Sequence, residues 1–581
     1  MRRALVWLLS FFCSAALAAD LDSLIERDWQ MLMVRDPLFA TSSGVSSFNH
    51  LLPNASYDAL VRYRQEDAAL LADIDALDVT PLEGQAAINH ALLRWRVAGR
   101  VSSFDSGEYT MPFNTFASFF NYPVQTMADT ALREEADYLA LQQRILAMPD
   151  YFVGHIDNMR RGVAMGKTLP RIVVEKVLPT IEAQVYASPE ANPLWQKVRD
   201  YPAKIPLDTQ AKLDAGLRQA LDEGFKRAFA DLAAFIREEY LPASRTSVGA
   251  YAMTDGKAYY SEQIRQYVTS DQYSADAIHD IGLAEVKRIR AEMEDVKQDA
   301  GFEGDLPAFI EFLRTSPQFY ATTPRDLLKE AAFVSKRIDY VMPKFFATLP
   351  RTPYGVVPVP DEIAPAYSTA AYWGAPMGGD RGGAYMVNTY RLDQRPLYEL
   401  PALTLHEAVP GHHHQGALSQ ELLGVPEFRK HLYFSAYGEG WALYTEKLGV
   451  EMGIYQNAYE HFGRLSYEMW RAARLVIDTG IHAKGWSRQQ GIDFLASNTS
   501  LSMANVIAEV DRYISWPGQA LAYKLGELLI WELRREAEAA LGDRFDLRAF
   551  HDAVLLNGAL PMALLSEQVR AYIARVKDGR A

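Results

Sequence analysis

Residues 406–415, HEAVPGHHHQ, combine a helical motif with the residues that interrupt it. A His-Glu pair with a second histidine one helical turn later is the zinc-ligand pattern H-E-x-x-H. Here the position one turn after His406 is Pro410, which offers no ligand atom. In a regular helix its ring would clash with the carbonyl of His406, whereas Gly411 accepts unusual backbone conformations. The sequence therefore predicts a helix that starts near residue 400 and is distorted inside the motif.

The distortion decides which histidine can be the second ligand. In a straight helix His412 would lie about 120° around the axis from His406, and His413 about 10 Å further along it. A two-residue bulge at Pro410 and Gly411 would bring His412 into position, so we predict His406 and His412 as ligands, with His413 as the reserve choice. Glu407 would act as the general base on a metal-bound water.

A helical run at residues 436–446 supplies a candidate for the third ligand. Catalytic zinc sites usually combine three protein ligands with an open position. Glu439 lies between two glycines, which leave room for close approach, and Glu446 follows one heptad later on the same face. We predict Glu439 as the third ligand and Glu446 as a group behind the ligands or on the surface. For either glutamate, an ordinary surface charge is the alternative.

Composition excludes some classes of partner. The chain has 581 residues, of which 49% are hydrophobic and 23% charged, as in soluble globular proteins with one large core or several. Its formal net charge of −14 argues against nucleic acid or an anionic membrane as the main partner. A peptide substrate is the expected partner, and the sequence does not indicate an oligomeric state.

Residues 1–18 have the pattern of a secretory signal peptide. A basic start is followed by an apolar run and by small residues before Ala19. A transmembrane anchor is the alternative, but the run is short for a span. Cys13 is the only cysteine, and the bulky Phe12 before it does not suit a lipoprotein signal. We predict an exported protein, periplasmic or secreted, without stable membrane insertion after cleavage.

The remaining chain predicts a mainly α fold. Residues 19–344 carry helical spacing of apolar residues and no strand pattern, so we predict an N-terminal helical region there. Residues 345–581 begin with a proline-rich, β-branched stretch typical of an edge strand. A glycine-rich loop then leads into a short strand at residues 384–389. We therefore predict a small β-sheet beside the motif helix, within a C-terminal catalytic region.

This strand has two interpretations. An edge strand beside a metal can pair with an extended peptide, and Tyr385 and Asn388 are then substrate-binding candidates. A plain structural hairpin is the equal alternative. The aromatic-rich residues 102–122 similarly predict core packing where helices meet, or else the wall of a groove.

Four ordered motifs carry a resemblance to a known family. They are HExxPGHHxQ at 406–415, EGWALY at 439–444, RLVIDTGIHA at 474–483 and PGQALAYK at 517–524. Together they resemble the bacterial family called domain of unknown function 885, and the likeness spans nearly all of residues 19–581. His414 departs from the apolar residue expected at that position.

That family is similar to the mostly helical Glu-zincin peptidases, such as oligoendopeptidases and the carboxypeptidase Taq type. Dipeptidyl peptidase III also has extra sequence between its two histidine ligands. The resemblance implies one continuous family domain with a large helical, gluzincin-like metallopeptidase fold, and zinc (Zn2+) as the cofactor. It implies no particular substrate.

Two further pairs of residues are catalytic candidates. Asp478 and His482 are four residues apart on a helix, and they form either a site pair that stabilises the transition state or a helix-surface pair. A hydroxyl of Tyr513 or Tyr523 near the metal would stabilise a developing oxyanion. The alternative for each tyrosine is a core or surface position.

Three cations are candidates for binding a substrate carboxylate: Arg474, Arg512 and Lys524. A carboxypeptidase needs such an anchor and an endopeptidase does not. We therefore predict an exported zinc-dependent peptidase, without choosing between these modes of cleavage. The alternatives are a metal-dependent hydrolase of a non-peptide amide or ester, and a catalytically inactive exported binding protein.

Overall fold

The computed structural model describes residues 20–361, 363–376 and 381–579. The predicted signal peptide, residues 1–18, lies outside this range. The described chain divides into two compact units. The first holds residues 20–248 and 252–258, and the second holds residues 249–251 and 259–579.

The first unit consists of helices. They are α1 (20–35), α2 (Pro37–Ser42), α3 (Tyr57–Asp75), α4 (Gly84–Ser106), α5 (Asn121–Asp129), α6 (Glu135–Leu146), α7 (Met148–Met165), α8 (Arg171–Glu182), α9 (Pro193–Val198), α10 (Leu207–Gln219), α11 (Arg227–Phe235) and α12 (Leu241–Ala243). Two π-helical segments, Ala220–Lys226 and Ile236–Tyr240, join α10, α11 and α12 into one helical run.

Local sequence explains the helix ends in this unit. The Ser56 hydroxyl accepts the backbone N–H of Ala59 and so caps the start of α3. Gly107, with a φ of 81°, ends α4 in the left-handed conformation that favours glycine. Among the aromatic-rich residues, Phe113 and Phe120 are buried in the unit's main hydrophobic core, which agrees with the core-packing interpretation.

The second unit contains the motif helices. Its helices are α13 (Gly256–Val268, which begins at the unit boundary), α14 (Ala275–Asp299), α15 (Leu306–Thr315), α16 (Pro324–Phe345), α17 (Leu400–Glu407), α18 (His412–Gln420), α19 (Glu427–Lys430), α20 (Ser435–Glu451), α21 (Ala458–Lys484), α22 (Arg488–Asn498), α23 (Met503–Ser515), α24 (Ala522–Leu541), α25 (Leu547–Leu555) and α26 (Met562–Lys577).

The boundary between the units lies well before the change of composition at residue 345. Helix α14 packs along α21, and α16 packs against α17. The composition changes at residue 345 because the strands of the sheet follow that residue. The helices α14 and α16, which come before the strands, nevertheless pack against motif helices and belong to the same unit. Helix α21 is buried from Phe462 to His482, because helices of this unit surround it. Within the described residues, no helix is both long and apolar enough to cross a membrane.

The small sheet has three strands: β1 (Tyr354–Pro358), β2 (Ala370–Trp373) and β3 (Gly383–Val387). Their order is β1-β3-β2, with β1 parallel and β2 antiparallel to β3. Helix α17 contacts β2, and α18 contacts both β2 and β3. The prediction of a mainly α fold with a small sheet beside the motif helix is confirmed.

Candidate metal centre

The HEAVPGHHHQ segment forms two helices separated by a break. Helix α17 ends at Glu407, and the chain then leaves helical geometry at Ala408 (φ −98°, ψ −110°) and Gly411 (φ −74°, ψ −130°). The Val409–Pro410 peptide bond is cis. Helix α18 starts at His412. The predicted distortion is present, but it is a complete break between two helices and not a bulge within one.

Gly411 is required at this break for a steric reason. A Cβ atom there would collide with the backbone carbonyl oxygens of Leu405 and His406. The indole N–H of Trp441 donates to the carbonyl of Pro410 over 2.7 Å and ties the break to α20. The break is thereby held against the helix that carries Glu439.

Three predicted ligands meet at this break. The nitrogen and oxygen atoms that His406, His412 and Glu439 can offer to a metal lie within 4.8 Å of one another. Glu439 Oε2 is 3.5 Å from His406 Nε2 and 3.3 Å from His412 Nε2. Ligands bound tetrahedrally at roughly 2.1 Å are about 3.4 Å apart, so these separations suit a zinc ion. Two imidazoles and one carboxylate also match a known catalytic zinc ligand set.

The neighbouring histidines point elsewhere. His413 Nδ1 lies 3.1 Å from the Tyr372 hydroxyl on β2, and burial lowers the His413 pKa to about 4. The ring of His414 is fully buried and packs against Phe346, with ring centroids 4.9 Å apart. The structure therefore brings His412 to His406 and Glu439, and carries the reserve candidate His413 to the sheet.

Glu446 lies behind the ligands and is not on the surface. Its Oε1 is 2.7 Å from His406 Nδ1, and its side chain is only 1% exposed. A proton on Nδ1 would be held by this carboxylate, which leaves His406 Nε2 to face Glu439. Arg471, which the sequence did not single out, lies 3.4 Å from the same oxygen.

The electrostatics of the trio favour positive charge. Burial lowers the pKa of His406, but hydrogen bonds to Glu439 and Glu446 outweigh it and raise that pKa to about 9. Burial raises the pKa of Glu439, but the charges and hydrogen bonds of His412 and His406 bring it well below its usual range. The carboxylates thus stabilise a cation here, and a metal ion would compete with protons for the same atoms.

Glu407 and Tyr433 flank the trio. Glu407 is partly exposed and follows His406 at the end of α17. The Tyr433 hydroxyl donates to Glu439 Oε1 over 2.9 Å. The sequence reasoning missed Tyr433. The sequence feature related to this contact is Gly438, because a Cβ at that position would collide with the Tyr433 ring.

Tyr513 and His482 are both buried and contact each other. The Tyr513 hydroxyl accepts hydrogen bonds from Trp470 Nε1 at 2.9 Å and Arg474 Nε at 3.1 Å. His482 Nδ1 accepts the Ala250 N–H at 3.1 Å, and its Nε2 lies 2.9 Å from the Tyr513 carbonyl. These contacts fix the neutral tautomer with its proton on Nε2 and position the backbone of α23.

The interpretation of Asp478 and His482 as a helix-surface pair is wrong, since both side chains are buried. Asp478 accepts the Tyr260 hydroxyl at 2.6 Å and the Gly518 N–H at 3.2 Å. Burial raises the pKa of Asp478 to about 7, against the lowering effect of these bonds. These two hydrogen bonds give it a structural role, since they join α21 to α13 and to the start of the PGQALAYK motif.

The three cations predicted to hold a carboxylate have different surroundings. Lys524 is fully buried, and its ammonium group lies 2.6 Å from Glu527, 2.9 Å from Glu468 and 3.0 Å from Glu285. An ammonium group has three donors, so these carboxylates occupy all of them. Lys524 therefore has no donor left for a substrate.

The two arginines form a cluster with Tyr523. Arg474 Nη2 donates to Glu509 over 2.9 Å, and its guanidinium lies over the Tyr523 ring at 4.2 Å from the centroid. Arg512 Nη2 donates to Gln519 over 2.7 Å and to the Tyr523 hydroxyl over 3.2 Å. The structure thus brings Arg474, Arg512 and Tyr523 together.

The candidates on β3 are internal. The Tyr385 hydroxyl lies 3.3 Å from Thr404 Oγ1 of α17, and the Tyr385 side chain is buried. The buried Asn388 amide donates to the carbonyls of Ala364, Tyr367 and Ser368, which uses both of its N–H groups. Their contacts support the sheet and its preceding loop, and β3 is the central strand with no free edge. Direct substrate binding by either residue stays a prediction.

The fold is shared with solved bacterial structures. A protein from Colwellia psychrerythraea, described as a "putative lipoprotein", matches with a TM-score of 0.90 and 27% identity, over 96% of this chain and 100% of that one. A "putative lipoprotein of unknown function" from Shewanella oneidensis matches with a TM-score of 0.73 and 17% identity, over 95% and 99% of the two chains. The second likeness shows the fold alone.

No curated protein matches the chain significantly. The family model described as "Bacterial protein of unknown function (DUF885)" matches residues 37–569, which include all four motifs. The chain therefore belongs to the DUF885 family.

Proposed function

We propose that this protein is a zinc-dependent peptidase that acts outside the cytoplasm. The observation that carries the proposal is the convergence of His406, His412 and Glu439, with donor atoms within 4.8 Å of one another. Two imidazoles and a carboxylate at these separations would hold zinc and leave a coordination position open. A zinc ion held there would act as a Lewis acid and make bound water more acidic.

The residues around the trio have separate roles in amide hydrolysis. Glu407 takes a proton from the attacking water and passes it to the leaving amine, so that water adds across the amide to give a carboxylic acid and an amine. Glu446 holds His406 by its Nδ1–H, which keeps Nε2 aimed at the site. A phenol donor, with Tyr523 as the favoured candidate, stabilises the charge that develops on the carbonyl oxygen.

Export is supported by two observations. The first is the signal-like sequence of residues 1–18. The second is that both structural relatives are described as lipoproteins, with the qualification "putative". Fractionation of cells that produce the full-length chain tests this part of the proposal, and recovery in the cytoplasm with an intact N-terminus would contradict it.

The test of the reaction uses purified protein and a peptide library analysed by mass spectrometry. We expect about one zinc per chain, as for an open three-ligand site. Cleavage should stop with a chelator and return with added zinc. Glu407→Gln should keep the zinc and lose about 10²- to 10⁴-fold in rate, since it removes the general base alone.

The same experiment separates the alternatives. Protein without zinc, together with unchanged activity in Glu407→Gln, would overturn the metallopeptidase. Bound zinc without cleavage of any peptide would favour a hydrolase of non-peptide amides or esters, and a screen of such substrates decides that case. Bound zinc with no hydrolysis of either class would favour a binding protein.

A further inference from the structure

Tyr433 presents an exposed aromatic ring beside the trio. Its hydroxyl donates to Glu439 Oε1 over 2.9 Å, while Oε2 of the same carboxylate lies 3.5 Å from His406 and 3.3 Å from His412. Tyr433 is nevertheless 56% exposed. Glu446, which also contacts one of the three candidate ligands, has a side chain that is only 1% exposed. Tyr433 is therefore a group beside the trio that an incoming substrate can touch.

The position of this ring is fixed by its neighbours. Its Cε2–Cζ edge lies against Gly438, so closely that a Cβ on that glycine would be 2.5 Å from Cε2. The next residue along the chain, Phe434, is 8% exposed, and its carbonyl accepts the Gly438 N–H at 2.9 Å. A ring that is held at its hydroxyl and at one edge loses little freedom when a ligand packs on it, so ordering it costs little binding free energy.

The faces of the ring are open to a ligand. Within the described residues, no aromatic ring stacks on Tyr433 and no cation lies over it. Aromatic faces pack favourably against other rings and against aliphatic chains, which lose water-exposed apolar area on contact. This burial contributes more than the contact of a cation with an exposed ring. The Glu439 carboxylate at the hydroxyl disfavours an acidic side chain. Tyr433 thus suits an apolar side chain.

We infer that the Tyr433 ring selects peptides with an aromatic or large aliphatic side chain next to the cleaved bond. The inference rests on the proposed peptidase activity and names the class of peptide that the site accepts. A substrate placed for hydrolysis brings its scissile carbonyl to the trio, and the Cβ atoms of the two residues that share this bond lie within about 4 Å of the carbonyl carbon. Because Tyr433 bonds a member of the trio, one of these side chains can reach its ring.

The first test measures binding without turnover. Phenylalanine hydroxamate and alanine hydroxamate carry the same zinc-chelating group and differ only in a benzyl or a methyl side chain beside it. For protein at saturating zinc, we expect the phenylalanine compound to bind about tenfold more tightly in calorimetry, since its ring is buried against that of Tyr433. Glu407→Gln protein should show the same ratio, because this variant keeps the trio.

Three variants make the test specific. Tyr433→Phe keeps the ring and should keep the ratio of the two affinities, whereas Tyr433→Ser removes the ring and should bring the ratio close to one. Tyr340→Ser is the matched control, because it removes a tyrosine that is 82% exposed on α16, and it should leave the ratio unchanged. If Tyr433 only orients Glu439, both compounds will weaken equally in Tyr433→Ser, and an unchanged ratio will overturn the inference.

The peptide library supplies the second measurement. The wild-type protein should cleave most readily at bonds with an aromatic or large aliphatic residue beside them. Tyr433→Phe should retain this preference, and Tyr433→Ser should cleave with less selectivity. A preference for apolar residues that is equally strong in Tyr433→Ser would overturn the inference, since another part of the site would then provide it.

Failure of the inference differs from failure of the proposed function. Equal binding of the two hydroxamates by wild-type protein, together with cleavage at bonds that lack apolar neighbours, refutes selection by Tyr433 and leaves the peptidase intact. Preferred binding of the phenylalanine compound without cleavage of any peptide supports the role of the ring and counts against the peptidase. Protein that binds neither compound after zinc is added refutes both.

Discussion

Two buried clusters of charge in the second unit differ in where their cations come from. Around Lys524, the ammonium group lies among three glutamates, and Arg288 and Arg464 pair with Glu468 from other sides. Around Glu439, the carboxylate faces two imidazoles and a phenol, and Glu446 adds a second negative charge. The first cluster balances its charge with its own side chains. In the second, Arg471 lies beside Glu446, and a metal ion beside Glu439 remains our proposal.

The two clusters also differ in how far their side chains are exposed to solvent. Lys524 has no exposed surface, while His412 and Glu439 are 15% and 13% exposed. Charges removed from water on all sides are stable only when they are paired and hydrogen-bonded, which describes a structural cluster. A partly open cluster rich in ligand atoms can exchange a metal ion and admit a substrate. Lys524 and the trio all lie in motifs that the sequence marked as functional, and only their surroundings distinguish the two clusters.

The largest expected effect tests which histidine belongs to the open cluster. His412→Ala should lose the zinc, because it removes one of three ligands. Activity should fall by more than about 10³-fold, because the metal that would act as Lewis acid is then missing. His413→Ala is the matched control, because its ring faces Tyr372 on the sheet. It should keep about one zinc per chain. Metal analysis and peptide cleavage check both variants, and zinc loss in His413→Ala alone would reverse the ligand assignment.

The next effect tests the closed cluster. Lys524→Met should lower the free energy of unfolding by about 3–5 kcal/mol, since it leaves buried carboxylates without their partner. Lys336→Met is the control. Its side chain is 79% exposed, and its pair with Asp339 is at the surface. It should change stability by less than about 0.5 kcal/mol. Denaturant unfolding measures both, and equal stability of the two variants would contradict a structural role for Lys524.

A smaller effect concerns the support of the ligands. Glu446→Gln removes the negative charge 2.7 Å from His406 Nδ1 and keeps the size of the side chain. We expect zinc affinity to fall about 10- to 100-fold, as for other partners behind metal ligands. Competition with a chromogenic chelator measures the affinity. Glu451→Gln on the same helix, whose partner is Arg534, is the control and should bind zinc as the wild type does.

The smallest effect concerns Tyr433. Tyr433→Phe removes the hydroxyl that donates to Glu439 Oε1 and leaves the ring over Gly438. We expect about a fivefold loss of zinc affinity, the worth of one ordinary hydrogen bond. At saturating zinc, cleavage should stay within about tenfold of the wild type. A much larger fall in kcat with unchanged zinc affinity would show that this hydroxyl serves the reaction and not the ligand.

Sequence reasoning succeeded for features that depend on neighbouring residues. Apolar spacing predicted the long helices and the mainly α fold. Proline and glycine predicted a distortion inside the motif, which in the structure is a break after Glu407. It failed where the partner lies far along the chain. His482 and Asp478 have the spacing of a helix pair, yet their contacts are with residues as distant as Ala250 and Tyr260. Helical spacing cannot reveal such partners.

The sequence by itself determined the types of the candidate ligands, the helix that carries His406 and the need for a distortion at Pro410. Those features follow from the chemistry of single residues and from local backbone geometry. Only the tertiary structure decided that His412, and not His413, faces Glu439, and that Lys524 belongs to a closed ionic cluster. The reason is that direction and burial depend on the packing of α17, α18, α20, α21 and α24, whose contacts join residues far apart in the chain.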